Sequence, residues 1–213
     1  MSASLVFADI MEHRDSLTEE LLKLAKNVPL LRAADVVRRG IPRVYLTRLV
    51  RAGVLVSASR GVYRINETGV SENHSLAVVA LRVPQGVICL LSALRFHGLT
   101  TQIPFEVWLA IDRKARPPQF DHPALHLVRF SSQDRVEGVD WHVIEGVEVP
   151  ITNPARTVVD CFAYRNTLGI DVAMEALRDC LQRRLATPDE LDRAARLRRM
   201  SRVMRPYLEA ILS

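Results

Sequence analysis

The chain has 213 residues, is 48% apolar and 25% charged, and carries a formal net charge of +5. That is enough chain for one large or two small domains with a real core, and the composition excludes a disordered or fibrous protein. Cys89, Cys161 and Cys180 are scattered without a CxxC spacing, which points to a reducing compartment and away from a disulfide framework or zinc ribbon.

The opening MSASLVFADIMEHRD places acids at Asp9, Glu12 and Asp15, so it lacks the charge pattern of a signal peptide. No apolar run approaches the roughly 18 residues that a membrane span needs. The expectation is a cytoplasmic protein without a membrane partner. Ser16-Leu17-Thr18-Glu19 then has the form of a capping box, and Leu17, Leu21, Leu24 and Ala25 recur at helical spacing to about Lys26. Val28-Pro29 ends that helix. A second helix is expected from about Leu31 to Arg38, with Gly40 as the turn. Pro42 stands where a first helical position should be and opens a third helix, Pro42 to Arg51, with Gly53 as its stop. Val44, Leu46, Leu49 and Val50 are its expected apolar positions. Val54–Val56 and Val62–Ile65 are β-prone and joined by the polar SASRG loop, which predicts a wing with Arg60 at its tip.

Helix, turn, helix and hairpin in this order predict a winged helix-turn-helix over residues 1–67. Between Leu31 and Ile65, eight arginines face one acid, Asp35, a segment charge of +7. Concentrated positive charge on such a motif is the electrostatic footprint of a duplex-DNA binder. Recognition helices read bases mainly with N-terminal residues, which nominates Arg43, Tyr45, Thr47 and Arg48. Arg32, Arg39, Arg51, Arg60 and Tyr63 complete the candidate DNA-binding set as phosphate or wing contacts. The competing reading is an arginine-coated solvated surface or a protein-interaction module.

Thr68 to Asn73 reads as a linker, and residues 72–213 as a second, α+β domain. Ser71 is the expected cap of a helix to about Arg82. Val87–Leu91 runs into a short helix ending at Gly98. Val107–Ile111 and Leu125–Phe130 look like buried strands around a basic loop, and Val139–Ile144 with Val147–Ile151 reads as a hairpin about Glu145-Gly146. A small mixed or antiparallel sheet is therefore expected. Asn153-Pro154 caps a helix to about Tyr164, Ile170 to Arg184 is strongly amphipathic, and Thr187-Pro188-Asp189-Glu190 is a capping box opening a helical tail that runs nearly to Ser213. Arg193, Arg196, Arg198, Arg199, Arg202 and Arg205 crowd that tail, read as a solvated face, as added phosphate contacts or as docking on an acidic protein.

Catalytic signals are weak. There is no P-loop, GxGxxG or GxSxG, and neither a cofactor nor a metal is expected. His122 and His126 are four apart, but Pro123 and the β-prone run beyond it argue against a shared helical face. His97 before Gly98 reads as a helix C-terminal residue favoured by the dipole. Asp112-Arg113-Lys114 after a strand, with Glu106 as a third candidate, faintly suggests a restriction-type nuclease; a strand-end charge cluster explains it equally. Asp160, in an otherwise apolar helix, is expected to be partly buried and paired with Arg156.

LLRAADVVRRGIPRVYLTRLVRAGVL followed by SRGVYRI resembles the N-terminal winged helix of the AbiEi antitoxins of abortive-infection systems. LLSALRFHGL and VEVPITNPARTVVDCF resemble elements of their second domain, so the resemblance spans about residues 16 to 213. It implies a repressor of its own operon that binds inverted repeats in double-stranded DNA, with self-association on the DNA. It also implies a type IV antitoxin opposing a nucleotidyltransferase-like toxin, its second domain needed for that activity. No enzymatic residues carry over. The alternatives are a nuclease-like second domain and a solitary regulator without a toxin.

Overall fold

A computed structural model of the chain describes residues 16–66 and 71–212, and part of the expected linker lies outside them. The chain forms two compact units. The first takes the described residues up to His74 together with Ile144–Val147; the second takes Ser75–Val143 and the residues from Glu148 on.

The first unit opens with helix α1 over 16–27. Ser16, the expected cap residue, is itself helical. Leu21 and Ala25 are its buried positions. Where a helix was expected from Leu31, a two-residue strand β1 (Leu31–Arg32) comes first, and α2 is confined to Ala33–Arg38. Tertiary pairing overrides the helical pattern here: β1 lies antiparallel to β3, with Leu31 opposite Tyr63 and Arg32 opposite Val62. Helix α3 (Arg43–Arg51) follows, with Pro42 as its cap residue rather than its first turn. Strands β2 (Leu55–Ser59) and β3 (Val62–Ile65) make the wing, and the sheet order is β1-β3-β2. The expected five-residue loop is in fact a two-residue turn, Arg60-Gly61. Ser57-Ala58-Ser59 continues strand β2 through a bulge instead. Leu21, Val36, Ile41, Leu46 and Leu55 close the core of this unit.

Helix α4 (His74–Arg82) starts at His74. Ser71 does not cap it with its side chain; its hydroxyl and N–H both donate to the Glu145 carboxylate, which also meets His74 Nδ1 at 2.7 Å.

The second unit holds a five-stranded mixed sheet of order β6-β5-β4-β8-β7. Its strands are β4 (Val87–Ile88), β5 (Val107–Asp112), β6 (Leu125–Phe130), β7 (Val139–Ile144) and β8 (Val147–Thr152). β4 is antiparallel to β5 and parallel to β8, while β5 and β6 are parallel although no helix connects them. Helix α5 (Leu90–Phe96) follows β4. After β8 the chain is helical: α6 (Pro154–Ala163), α7 (Arg165–Leu168), α8 (Ile170–Gln182), α9 (Pro188–Leu197) and α10 (Ser201–Leu212). The two predicted caps form as read. The Asn153 side chain accepts from the Arg156 N–H with Pro154 at the first position, and Thr187 and Glu190 make a reciprocal capping box. The tail is not one helix. It breaks between α9 and α10, where Arg199 adopts a φ of 56°.

The face of α6 that meets the core carries Val158, Val159, Cys161 and Phe162 against Leu94, Phe130, Ala173, Leu177 and Leu191. Asp160 lies among them with no exposure at all, rather than partly buried. Arg156 Nε donates to one of its oxygens and Arg198 Nε to the other, each at 2.8 Å. Arg198 also pairs with Asp134. One arginine of the tail is thus structural.

Candidate nucleic-acid interface

Helix α3 is positioned from both ends. Gly40, at φ 80°, turns the chain out of α2, and Ile41 is buried beneath the turn. Gly53, at φ 72°, stops the helix after the cap residue Ala52. The wing is tied to the same frame: the Gly61 C=O in its turn accepts from the Ala33 N–H at the start of α2, at 2.8 Å.

At 100° per residue, Arg43, Thr47, Arg51, Val44 and Arg48 fall on one arc of roughly 140°, and Tyr45, Leu49, Leu46 and Val50 fall on the other side. The burial follows that division: the first five are exposed, Tyr45, Leu46 and Leu49 are buried, and Val50 is half-buried. Two expectations are corrected. Tyr45, nominated as a base reader, is 6% exposed and belongs to the core, because its position in the turn outweighs its hydroxyl. Val44, taken as a core position, is 48% exposed in the middle of the arginine face. The helical angle was the signal for both.

The remaining candidates are placed unequally. Arg39 is exposed just after α2 and Arg60 is exposed in the wing turn. Among the described residues, Arg39, Arg43, Arg51 and Arg60 have no ion-pair partner. The Arg48 guanidinium lies 5.2 Å from the centre of the Tyr45 ring, so the buried tyrosine helps hold an exposed arginine. Arg32 is different: its Nε and Nη2 both donate to Asp35, at 2.9 and 3.3 Å, and Arg38 joins the same carboxylate. The Arg32 hydrogen bonds hold the Asp35 carboxyl below the usual range. Tyr63 is half-buried in the central strand of the small sheet. The exposed, acid-free set is therefore Arg39, Arg43, Val44, Thr47, Arg48, Arg51 and Arg60.

Residues 19–66 match the model of the family described as "Transcriptional regulator, AbiEi antitoxin". The match takes in the helices and wing of the first unit and no part of the second. All seven exposed positions lie inside it. The match ends at residue 66, whereas the expected resemblance ran on through the second unit. No curated protein matches the chain. Among solved structures, the crystal structure of the RV2827C protein from Mycobacterium tuberculosis is similar, with a TM-score of 0.60 at 16% identity. The similarity covers 84% of this chain and 71% of that one. At that identity the likeness is one of fold.

Outside residues 19–66, the motif residues have structural partners. Ser92 Oγ accepts the buried Trp108 N–H at 2.9 Å, and Thr157 Oγ1 donates to the Thr152 C=O at 2.9 Å. His97 is the cap residue of α5, and its Nε2 meets the Thr152 C=O at 2.8 Å. Burial pushes its pKa down. His97 ends the helix as read, and its lowered pKa works against the charge that the helix dipole favours there.

The nuclease candidates do not converge. Glu106 and Asp112 flank opposite ends of β5, about 20 Å of strand apart. Asp112 takes Arg135 at 2.9 Å, the Ser132 hydroxyl at 3.2 Å and the Lys114 N–H at 2.9 Å, which is a strand-end charge cluster. Glu106 instead meets His126 Nδ1 at 3.3 Å, and that ring stacks on Trp108. No group of three or more metal-ligating side chains occurs among the described residues. No helix there is long and apolar enough to cross a membrane.

Proposed function

We propose that this chain is a duplex-DNA-binding transcriptional repressor of the antitoxin class, acting in the cytoplasm on its own promoter. The observation that carries the reading is the exposed face of α3. It has three arginines, a threonine and a valine on one side of a nine-residue helix, with no acid among them.

In this reading α3 enters the major groove. Arg43 and Arg48 offer forked donors to guanine O6 and N7, and Val44 and the Thr47 methyl offer apolar contact to thymine methyl groups. Arg39 and Arg51 sit at the ends of the reading elements and meet phosphate. Arg60 reaches the backbone or the adjacent minor groove from the wing. An operator made of inverted repeats takes two copies, and the opposed toxin resembles a nucleotidyltransferase.

The test uses labelled duplex from the region upstream of the coding sequence. The full chain binds it over random duplex, and Arg48→Ala costs about 1–3 kcal/mol with relaxed sequence preference. An equal loss on specific and random duplex assigns Arg48 to phosphate. Retained binding after Arg43, Arg48 and Arg60 are all changed to Ala removes the reading. Co-expression with a neighbouring nucleotidyltransferase-like protein tests the antitoxin part: relief of its toxicity supports it, and no effect leaves a solitary regulator.

A further inference from the structure

The larger sheet ends on β7, the outer strand of the β7–β8 hairpin. Glu145 and Gly146, at φ 48° and 69°, are the two left-handed residues of a type I′ turn. That turn sets Ile144 opposite Val147. The bond from the Asn153 N–H to the Gly138 C=O, 2.9 Å long, falls on the same register. Alternation along an antiparallel ladder then turns the backbone groups of Val139, Trp141 and Val143 away from β8. Among the described residues no strand pairs with them. Edge strands are normally blunted by lysine, proline or a bulge. The β7 sequence VDWHVI has none of these, and it presents Trp141 at 63% and Val143 at 75% exposure.

We propose that β7 pairs antiparallel with β7 of a second copy of this chain, about a two-fold axis at Trp141, joining the two sheets into one. The strand is self-complementary about that residue. Val139 of each copy faces Val143 of the other, the two Trp141 side chains meet on the axis, and Asp140 of each stands opposite His142. All three outward residues become hydrogen-bonded pairs, about six main-chain bonds across the axis. Neighbouring registers are worse. An axis on Asp140 sets carboxylate against carboxylate, a destabilising cross-strand pair. An axis on His142 sets imidazole on imidazole and runs Val139 past the strand end onto Glu145. This pairing is independent of the DNA reading and is expected in the free protein.

The test uses the full chain without DNA. Cys89, Cys161 and Cys180 are all buried, so an introduced surface cysteine reports alone. Hydrogen-bonded antiparallel residues have Cα atoms about 5.5 Å apart, within the reach of a disulfide. Trp141→Cys cross-links to itself on mild oxidation. Val139→Cys mixed with Val143→Cys cross-links, and Val143→Cys alone does not. Sedimentation equilibrium of the unmodified chain gives a concentration-dependent dimer, and Trp141→Lys weakens it at least about tenfold. Unchanged circular dichroism controls for folding in each variant. A chain monomeric throughout the concentration series overturns the proposal, as does Val143→Cys alone cross-linking as readily as Trp141→Cys.

Discussion

Asp160 concentrates the energetics of the second unit in a single carboxylate. Two guanidinium groups reach its two oxygens at 2.8 Å from Arg156 and Arg198, and Asp134 balances the second arginine. Asp160→Ala leaves a buried guanidinium uncompensated, which by precedent costs about 3–5 kcal/mol of unfolding free energy, readable by urea denaturation. A loss below about 1 kcal/mol would mean that water reaches Arg156. Only half of this network was legible in the sequence. Asp160 and Arg156 are four apart on one helix, whereas Arg198 approaches from 38 residues away across a helix break that no local pattern announces. His97 gives a second prediction. Its folded pKa lies below the ordinary 6.5 because burial favours the neutral ring. Between the folded value and 6.5 the unfolded chain binds more protons, so this contribution is full above 6.5 and is lost as pH falls through that window. His97→Gln, which keeps a donor for the Thr152 carbonyl, should flatten the dependence of stability on pH below 6.5. An unchanged slope would place the acid sensitivity elsewhere.

Within α3, structure and recognition divide by angle rather than by residue class. Tyr45 and Thr47 are two residues and roughly 160° apart, since each residue advances about 100°. Tyr45→Ala should therefore cost about 3–5 kcal/mol, as other large aromatic truncations in cores do. Thr47→Ala should stay within about 0.5 kcal/mol while weakening the proposed DNA contact. Thermal and urea melts of the two variants check the division, and equal costs would contradict it. The wheel was available from sequence, but sorting the helix by polarity placed Tyr45 and Val44 on the wrong sides. Strand β1 was not available: two residues paired with a strand 30 positions away carry no period of their own. Caps were legible because their chemistry spans three residues. Thr187→Ala should accordingly cost about 1 kcal/mol, read as a lower melting temperature.

Over the whole molecule, the distribution of charge matters more than its sum. The Leu31–Ile65 segment carries +7 while the entire chain carries +5, so everything outside that segment is net acidic. The arginine-rich tail does not offset this. Arg198 is held by Asp160 and Asp134, Arg196 pairs with Asp192, Arg205 pairs with Glu209, and Arg193 lies beside Glu190. Four of the six tail arginines thus stand against acids, which leaves Arg199 and Arg202 as the pair to weigh against the first unit for phosphate. The salt dependence of DNA binding should then belong to the first unit. Each phosphate neutralised contributes about −0.9 to the slope of log K against log salt. Arg39→Ala with Arg51→Ala should reduce the magnitude of that slope by about 1.8. Arg199→Ala with Arg202→Ala, which removes the same formal charge from the tail, should leave it unchanged. Anisotropy titrations across a salt series distinguish the pairs. Equal loss of slope from the tail pair would show that the second unit also holds DNA, and that the acid-free face of α3 is one part of a longer electrostatic footprint.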